Sequence, residues 1–125
     1  MKSWSRTQTT VALSSGEAEY YSLASAVAEA IGVQSLLKDF GLKSKIKVEL
    51  DSSAAKSMAS RVGIGRTRHL EVKYLWVQQL VRAGTVRLKK IQGANNVSDI
   101  LTKPKSRTDC ATMLARANCT LVEKQ

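Results

Sequence analysis

The sequence predicts an α/β domain, and three observations predict it. Apolar residues recur at helical spacing over residues 15–40 and again over 67–82. Between and after these stretches, "KIKVEL" (45–50) alternates apolar and charged residues as a half-buried strand does, and "TVRLKKI" (85–91) reads as a second, basic strand. The resulting order is helix, strand, helix, helix, strand, helix, with the acids Glu19, Asp51 and Asp99 at the ends of elements. At 125 residues the chain fits one domain, which would bury about two-thirds of its unfolded surface if complete.

In chain order, "KSWSRTQ" (2–8) opens as a short strand. The first long helix follows. Ser14 reads as its N-cap, and Ser14-x-x-Glu17 as a capping box in which each side chain satisfies a backbone N–H. On a helical wheel Glu19 falls on the stripe of Leu23, Ala26, Ala30, Val33 and Leu37, the face this helix is expected to bury, with Glu17 roughly opposite and in solvent. A carboxylate heading an apolar face needs a partner, a cation or a raised pKa, because burying it unpaired is costly. "DFG" at 39–41 stops the helix with a glycine just past its end.

In the strand that follows, Ile46, Val48 and Leu50 share the core face and Lys45, Lys47 and Glu49 the other. Asp51 ends it and opens "DSSAAKSMAS", a short helix of small residues. "RVGIGRTRHL" is a Gly-broken, Arg-rich loop, and Gly63 and Gly65 are too few and too close for a phosphate cradle. The helix over 67–82 places Leu70, Tyr74, Val77 and Val81 on one face, with Tyr74 and Trp76 read as core, and "AG" at 83–84 stops it. After the basic strand, "GANNVSDILTKP" turns into a short helix stopped by Pro104, and residues 105–125 form a tail that is helical in "DCATMLARA".

The formal net charge of +10 is uneven: residues 1–60 hold seven Lys/Arg against six Asp/Glu, and residues 61–125 hold thirteen against four. Such an imbalance points to nucleic acid, through phosphate neutralisation, or to a basic surface that serves solubility. Cys110 and Cys119 lack metal-ligand spacing and read as free thiols. No apolar run approaches a membrane span and the polar start shows no signal peptide, so the expectation is an intracellular, cytoplasmic protein with no membrane partner.

Each of the three acids has a plain structural reading: Glu19 complements a helix N-terminus, Asp51 caps the following helix, and Asp99 completes a capping box with Asn96. Their surroundings add another. Trp4 and the run "VALSSGEAEY", a strand ending in Asp before a small-residue helix, "RTRHLEVKYLWV" and "SDILTKP" occur in one order and spacing. Over residues 3–104 the chain thereby resembles the ribonuclease H domain that closes the Pol polyprotein of copia-type retrotransposons.

The resemblance implies a ribonuclease H-like mixed sheet with flanking helices, which hydrolyses the RNA strand of RNA–DNA hybrids with two Mg²⁺ ions. Two-metal chemistry activates a water on one hard cation and stabilises the leaving oxygen with the other, so carboxylates must converge from several elements. Carried over, Glu19, Asp51 and Asp99 match the catalytic, metal-binding acids, and Glu17 matches an accompanying acid that is not a ligand. His69 matches a histidine that orients the helix, contacts substrate or is structural, and it is not counted as catalytic. Arg66, Arg68, Lys73, Arg87, Lys89 and Lys90 are candidates for phosphate contacts, or form an ordinary solvated basic face.

The family site has a fourth acid, an aspartate on an opening strand, whereas the first acidic residue here is Glu17. Residues 1–104 are therefore expected to form a partial domain lacking its first two strands, with "KSWSRTQ" an edge strand separated by a gap from the two later strands. Such a chain is expected not to catalyse in isolation, and to complete its sheet with the upstream reverse transcriptase and ribonuclease H segment or with a second chain. The alternative is a non-catalytic, basic nucleic-acid-binding remnant of a retroelement. A protein interaction module is disfavoured by the basic second half.

Overall fold

The computed structural model describes residues 11–62 and 72–119, and for 72–74 the backbone alone. The expected strand "KSWSRTQ" and residues Arg66, Arg68, His69 and Leu70 lie outside the described residues, as do the side chains of Lys73 and Tyr74. The chain divides into two compact units, one within Arg6–Lys90 and one within Ile91–Gln125.

The first unit is mixed α/β, with α1 at Ser15–Asp39, β1 at Ile46–Leu50, α2 at Ser53–Ser60, α3 at Val72–Arg82 and β2 at Val86–Lys90. β1 and β2 pair in parallel, in register from Ile46 opposite Val86 to Leu50 opposite Lys90. Parallel neighbours need a crossover, and the stretch bearing α2 and α3 supplies it. Helices cover the face that carries Ile46, Leu50 and Val86, all buried, and on the other face Lys47, Glu49, Arg87 and Lys89 are exposed. Tyr20, Val27 and Val77 bring α1 and α3 into the same core, to which α2 adds Ala55, Met58 and Ala59. Gln78, which the helical pattern did not mark as core, is buried because its Nε2 donates to Met58 O at 2.9 Å, satisfying a carbonyl in the last turn of α2.

The end signals act as their chemistry requires. Ser14 Oγ accepts from Glu17 N at 3.2 Å at the start of α1. Gly41 and Gly84, with φ of +76° and +74°, follow α1 and α3 in the left-handed region. At each end a paired closure results: Leu42 N to Leu37 O with Gly41 N to Lys38 O, and Thr85 N to Leu80 O with Gly84 N to Val81 O.

The burial of α1 differs from the wheel. Glu17, Tyr20, Tyr21, Leu23, Ala24 and Val27 are buried, and Glu19 is exposed. The buried face is set by the two tyrosines, whose rings remove more apolar area from water than the alanines of the expected stripe. Farther along, Val33 and Leu36 are exposed and Leu37 only half-buried.

In the second unit two 3₁₀ turns, Gly93–Asn95 and Val97–Leu101, precede α4 at Arg107–Arg116. The expected short helix around Asp99 is thus a 3₁₀ piece. Asn96 caps it, its side chain accepting from Ser98 N at 3.1 Å, and Pro104 steers Lys103 away from helical backbone, so too few residues remain for an α-helix. The expected helical tail is α4; it starts at Ser106, whose Oγ accepts from Asp109 N at 3.1 Å, and it packs against the Val97–Leu101 turn.

Candidate active site

In the first unit several element ends gather at one edge. The parallel register brings the carboxyl ends of β1 and β2 level, with Leu50 opposite Lys90. Asp51 follows Leu50 directly, half-buried, and α2 starts two residues on. The cap of α2 is Ser52, whose Oγ accepts from Ala55 N at 3.1 Å, so the capping role open to Asp51 is taken by its neighbour. The N-terminus of α1 lies against the same place: a Cβ on Gly16 would meet Ala54 Cβ at 2.7 Å. Only glycine permits this approach, which sets the first turn of α1, and with it Glu19, beside the helix that Asp51 leads into.

The two acids of "GEAEY" have exchanged the places the wheel gave them. Glu17 is 1% exposed. Its Oε2 accepts from Leu13 N at 2.9 Å and its Oε1 accepts from the Tyr21 hydroxyl. A buried carboxylate is tolerable on such terms, since donors replace the lost water. Glu19 reaches solvent. Beneath them Tyr20 is fully buried, and burial pushes its phenol up to about 12 against a smaller opposing effect of the Arg61 guanidinium.

The basic residues of β2 divide between two faces. Arg87 and Lys89 lie on the exposed face with Lys47. There Glu49 accepts from Lys47 at 2.8 Å and has Lys89 at 3.6 Å, and these ammoniums hold its carboxyl below the usual range, Lys47 foremost. Lys90 has the parity of Val86 and Leu88, and its ammonium donates to Ser53 Oγ in the first turn of α2, at the edge that bears Asp51. The sequence grouped Arg87, Lys89 and Lys90 as one patch; strand alternation separates Lys90 from the others.

In the second unit Asp99 is 7% exposed. Its Oδ2 accepts from Lys103 Nζ at 3.0 Å, and Lys105 Nζ lies 3.9 Å from the same oxygen. The carboxylate thus turns one oxygen to two lysines. The spacing of Asp99 and Lys103, four residues apart, was the available signal.

As hard oxygen donors Glu19 and Asp51 suit Mg²⁺, whereas Asp99 meets ammonium groups. Within neither unit do three His, Cys, Asp or Glu side chains among the described residues form a metal-binding group. No helix among the described residues is long and apolar enough to cross a membrane.

The chain is similar to curated polyproteins. It is 35% identical over 104 residues, 81% of its length, to the retrovirus-related Pol polyprotein from transposon TNT 1-94 of Nicotiana tabacum. It is 31% identical over 124 residues, 96% of its length, to that from transposon RE1 of Arabidopsis thaliana, and 32% identical over 109 residues, 84% of its length, to that from transposon RE2 of the same plant. The matched region spans 8% of each of these relatives. No protein-family model matches the chain, and no solved structure matches it.

Proposed function

We propose that this chain, a distant homologue of the Pol polyproteins of copia-type retrotransposons, is part of a ribonuclease H that hydrolyses the RNA strand of RNA–DNA hybrids. The observation that carries the reading is the shared edge of the first unit. There the carboxyl ends of two parallel strands lie level, Asp51 follows one of them, and Gly16 in the first turn of α1 approaches Ala54 in the first turn of α2. Open α/β sheets bind ligands just outside the carboxyl ends of their strands.

In this reading Glu19 and Asp51 hold divalent cations. Bound Mg²⁺ supplies an activated water and stabilises the leaving oxygen. The chain's own residues do the rest. Glu17, through Leu13 N and Tyr21, fixes the first turn of α1 and so aims Glu19. Arg87, Lys89 and Lys47 offer phosphate contacts on the exposed sheet face, and Lys90 offers one at the carboxylate edge.

Mn²⁺ titrated into the protein, followed by paramagnetic broadening of its amide resonances, tests this. Broadening that starts at Glu19 and Asp51 and is lost in Asp51→Asn is the expected result. Indifference of both amides to Mn²⁺ favours the other reading, a basic nucleic-acid-binding remnant that does not catalyse.

A further inference from the structure

Resting on that reading, we propose that Lys90 and Ser53 form a phosphodiester subsite for the RNA strand, beside the cation that Asp51 holds. The parallel register brings the two residues together. Lys90 lies opposite Leu50 at the carboxyl end of the sheet, Asp51 follows Leu50, and α2 opens at Ser53 just after it. The Lys90 ammonium donates to Ser53 Oγ. The pair thus stands at the sheet edge that carries Asp51.

The partner of Lys90 decides what its ammonium can do. On the exposed sheet face Lys47 and Lys89 share the Glu49 carboxylate, at 2.8 and 3.6 Å, so part of their charge is already answered. A hydroxyl answers none. It holds the ammonium in place and leaves its full charge for an anion, to which it makes a strong charge-assisted hydrogen bond. Ser53 keeps a donor of its own: its oxygen accepts from Lys90, and its O–H remains to be given. A hydroxyl and an ammonium with N–H groups to spare can hold one phosphate between them. Both residues are exposed, so a strand reaches them without disturbing the core. The assignment to the RNA strand follows from Asp51, because a cation there acts on the strand that is cut, and the phosphate next to that cation belongs to the same strand.

The test measures binding of the full chain to a hybrid whose RNA strand is 2′-O-methylated and so resists cleavage, by fluorescence anisotropy at several salt concentrations. Lys90→Met should weaken binding by roughly tenfold, the scale of one hydrogen bond to a charged group, and flatten the log–log salt slope by about 0.9. Lys90→Arg, which keeps the charge, should keep the wild-type slope. Ser53→Ala should weaken binding by a smaller factor at an unchanged slope, because the charge stays and only its placing is lost. The same proteins are then given hybrids in which one strand carries uncharged methylphosphonate linkages. With a neutral RNA strand the loss caused by Lys90→Met should vanish, and with a neutral DNA strand it should persist. Lys90→Met binding as wild type overturns the proposal, and so does a loss that follows the DNA strand; Ser53→Ala binding as wild type overturns the hydroxyl's part in it. Failure of the hydrolase reading is seen separately, in Mn²⁺ broadening at the Glu19 and Asp51 amides.

Discussion

Glu17 and Tyr21 form the most demanding contact of the first unit, a carboxylate 1% exposed whose Oε1 accepts from a phenol one turn on. Tyr21→Phe removes the donor and leaves the acceptor buried, so it should cost about 1–3 kcal/mol, read as a lower urea midpoint with unchanged slope. A midpoint equal to wild type would mean that the hydroxyl contributes nothing to holding the acid. Tyr20 makes a prediction about pH. Its folded pKa of about 12 lies above the unfolded value near 10, so between these pH values the unfolded chain releases a proton that the folded one keeps. Stability should be unaffected below about pH 10 and fall as pH rises toward 12, and Tyr20→Phe should remove that part of the fall in thermal melts. At this scale the sequence was legible in kind but not in place. The wheel recognised that one acid of "GEAEY" had to be buried and satisfied, but it weighted Leu23 and a row of alanines equally with two tyrosines, and so chose Glu19 over Glu17.

Among the elements, Gly16 is where the placing of the site is most exposed to a single change. Gly16→Ala brings a Cβ to within 2.7 Å of Ala54 Cβ, and neither partner is a flexible side chain. Alanine's better helix propensity offsets up to about 1 kcal/mol, yet the forced separation of α1 from α2 should still leave the variant less stable, since overpacking costs about 1–3 kcal/mol. The same variant should weaken Mn²⁺ broadening at Glu19 and Asp51 by moving one relative to the other; full broadening in a destabilised protein would separate stability from the site. The elements themselves were readable because their end signals are local: Ser14, Gly41 and Gly84 act through their own backbone neighbours. Ser52, in place of Asp51, caps α2, a choice between adjacent residues that residue type alone does not make. The approach of Gly16 to Ala54 left no sign in the sequence, because it joins residues from two elements far apart in the chain.

For the molecule as a whole, the charge excess of the second half predicts binding to duplex or hybrid with little sequence preference and a steep salt dependence. Lys89→Met should lower affinity and flatten the log–log salt slope by about 0.9 if its phosphate contact is lost; an affinity that does not vary with salt, or a slope that this variant leaves unchanged, would remove the exposed face of the sheet from the interface. The mixed α/β architecture was legible from periodicity, and the parallel pairing of β1 with β2 follows from the crossover that helices between strands impose. The partnership of Asp99 with Lys103 and Lys105 was not, since three cations surround it within a few residues in sequence and only geometry selects two.

If Glu19 and Asp51 belong to a hydrolytic metal site, cleavage of a hybrid should depend on both carboxylates. The chain should be joined behind a strand hairpin from a related element that carries one aspartate, and incubated with Mg²⁺ and an RNA–DNA hybrid. The expected result is hydrolysis of the RNA strand alone, dependent on Mg²⁺ and abolished by Asp51→Asn and by Glu19→Gln in proteins that remain folded. An intact RNA strand in the presence of the folded fusion, or cleavage that survives Asp51→Asn, would contradict it.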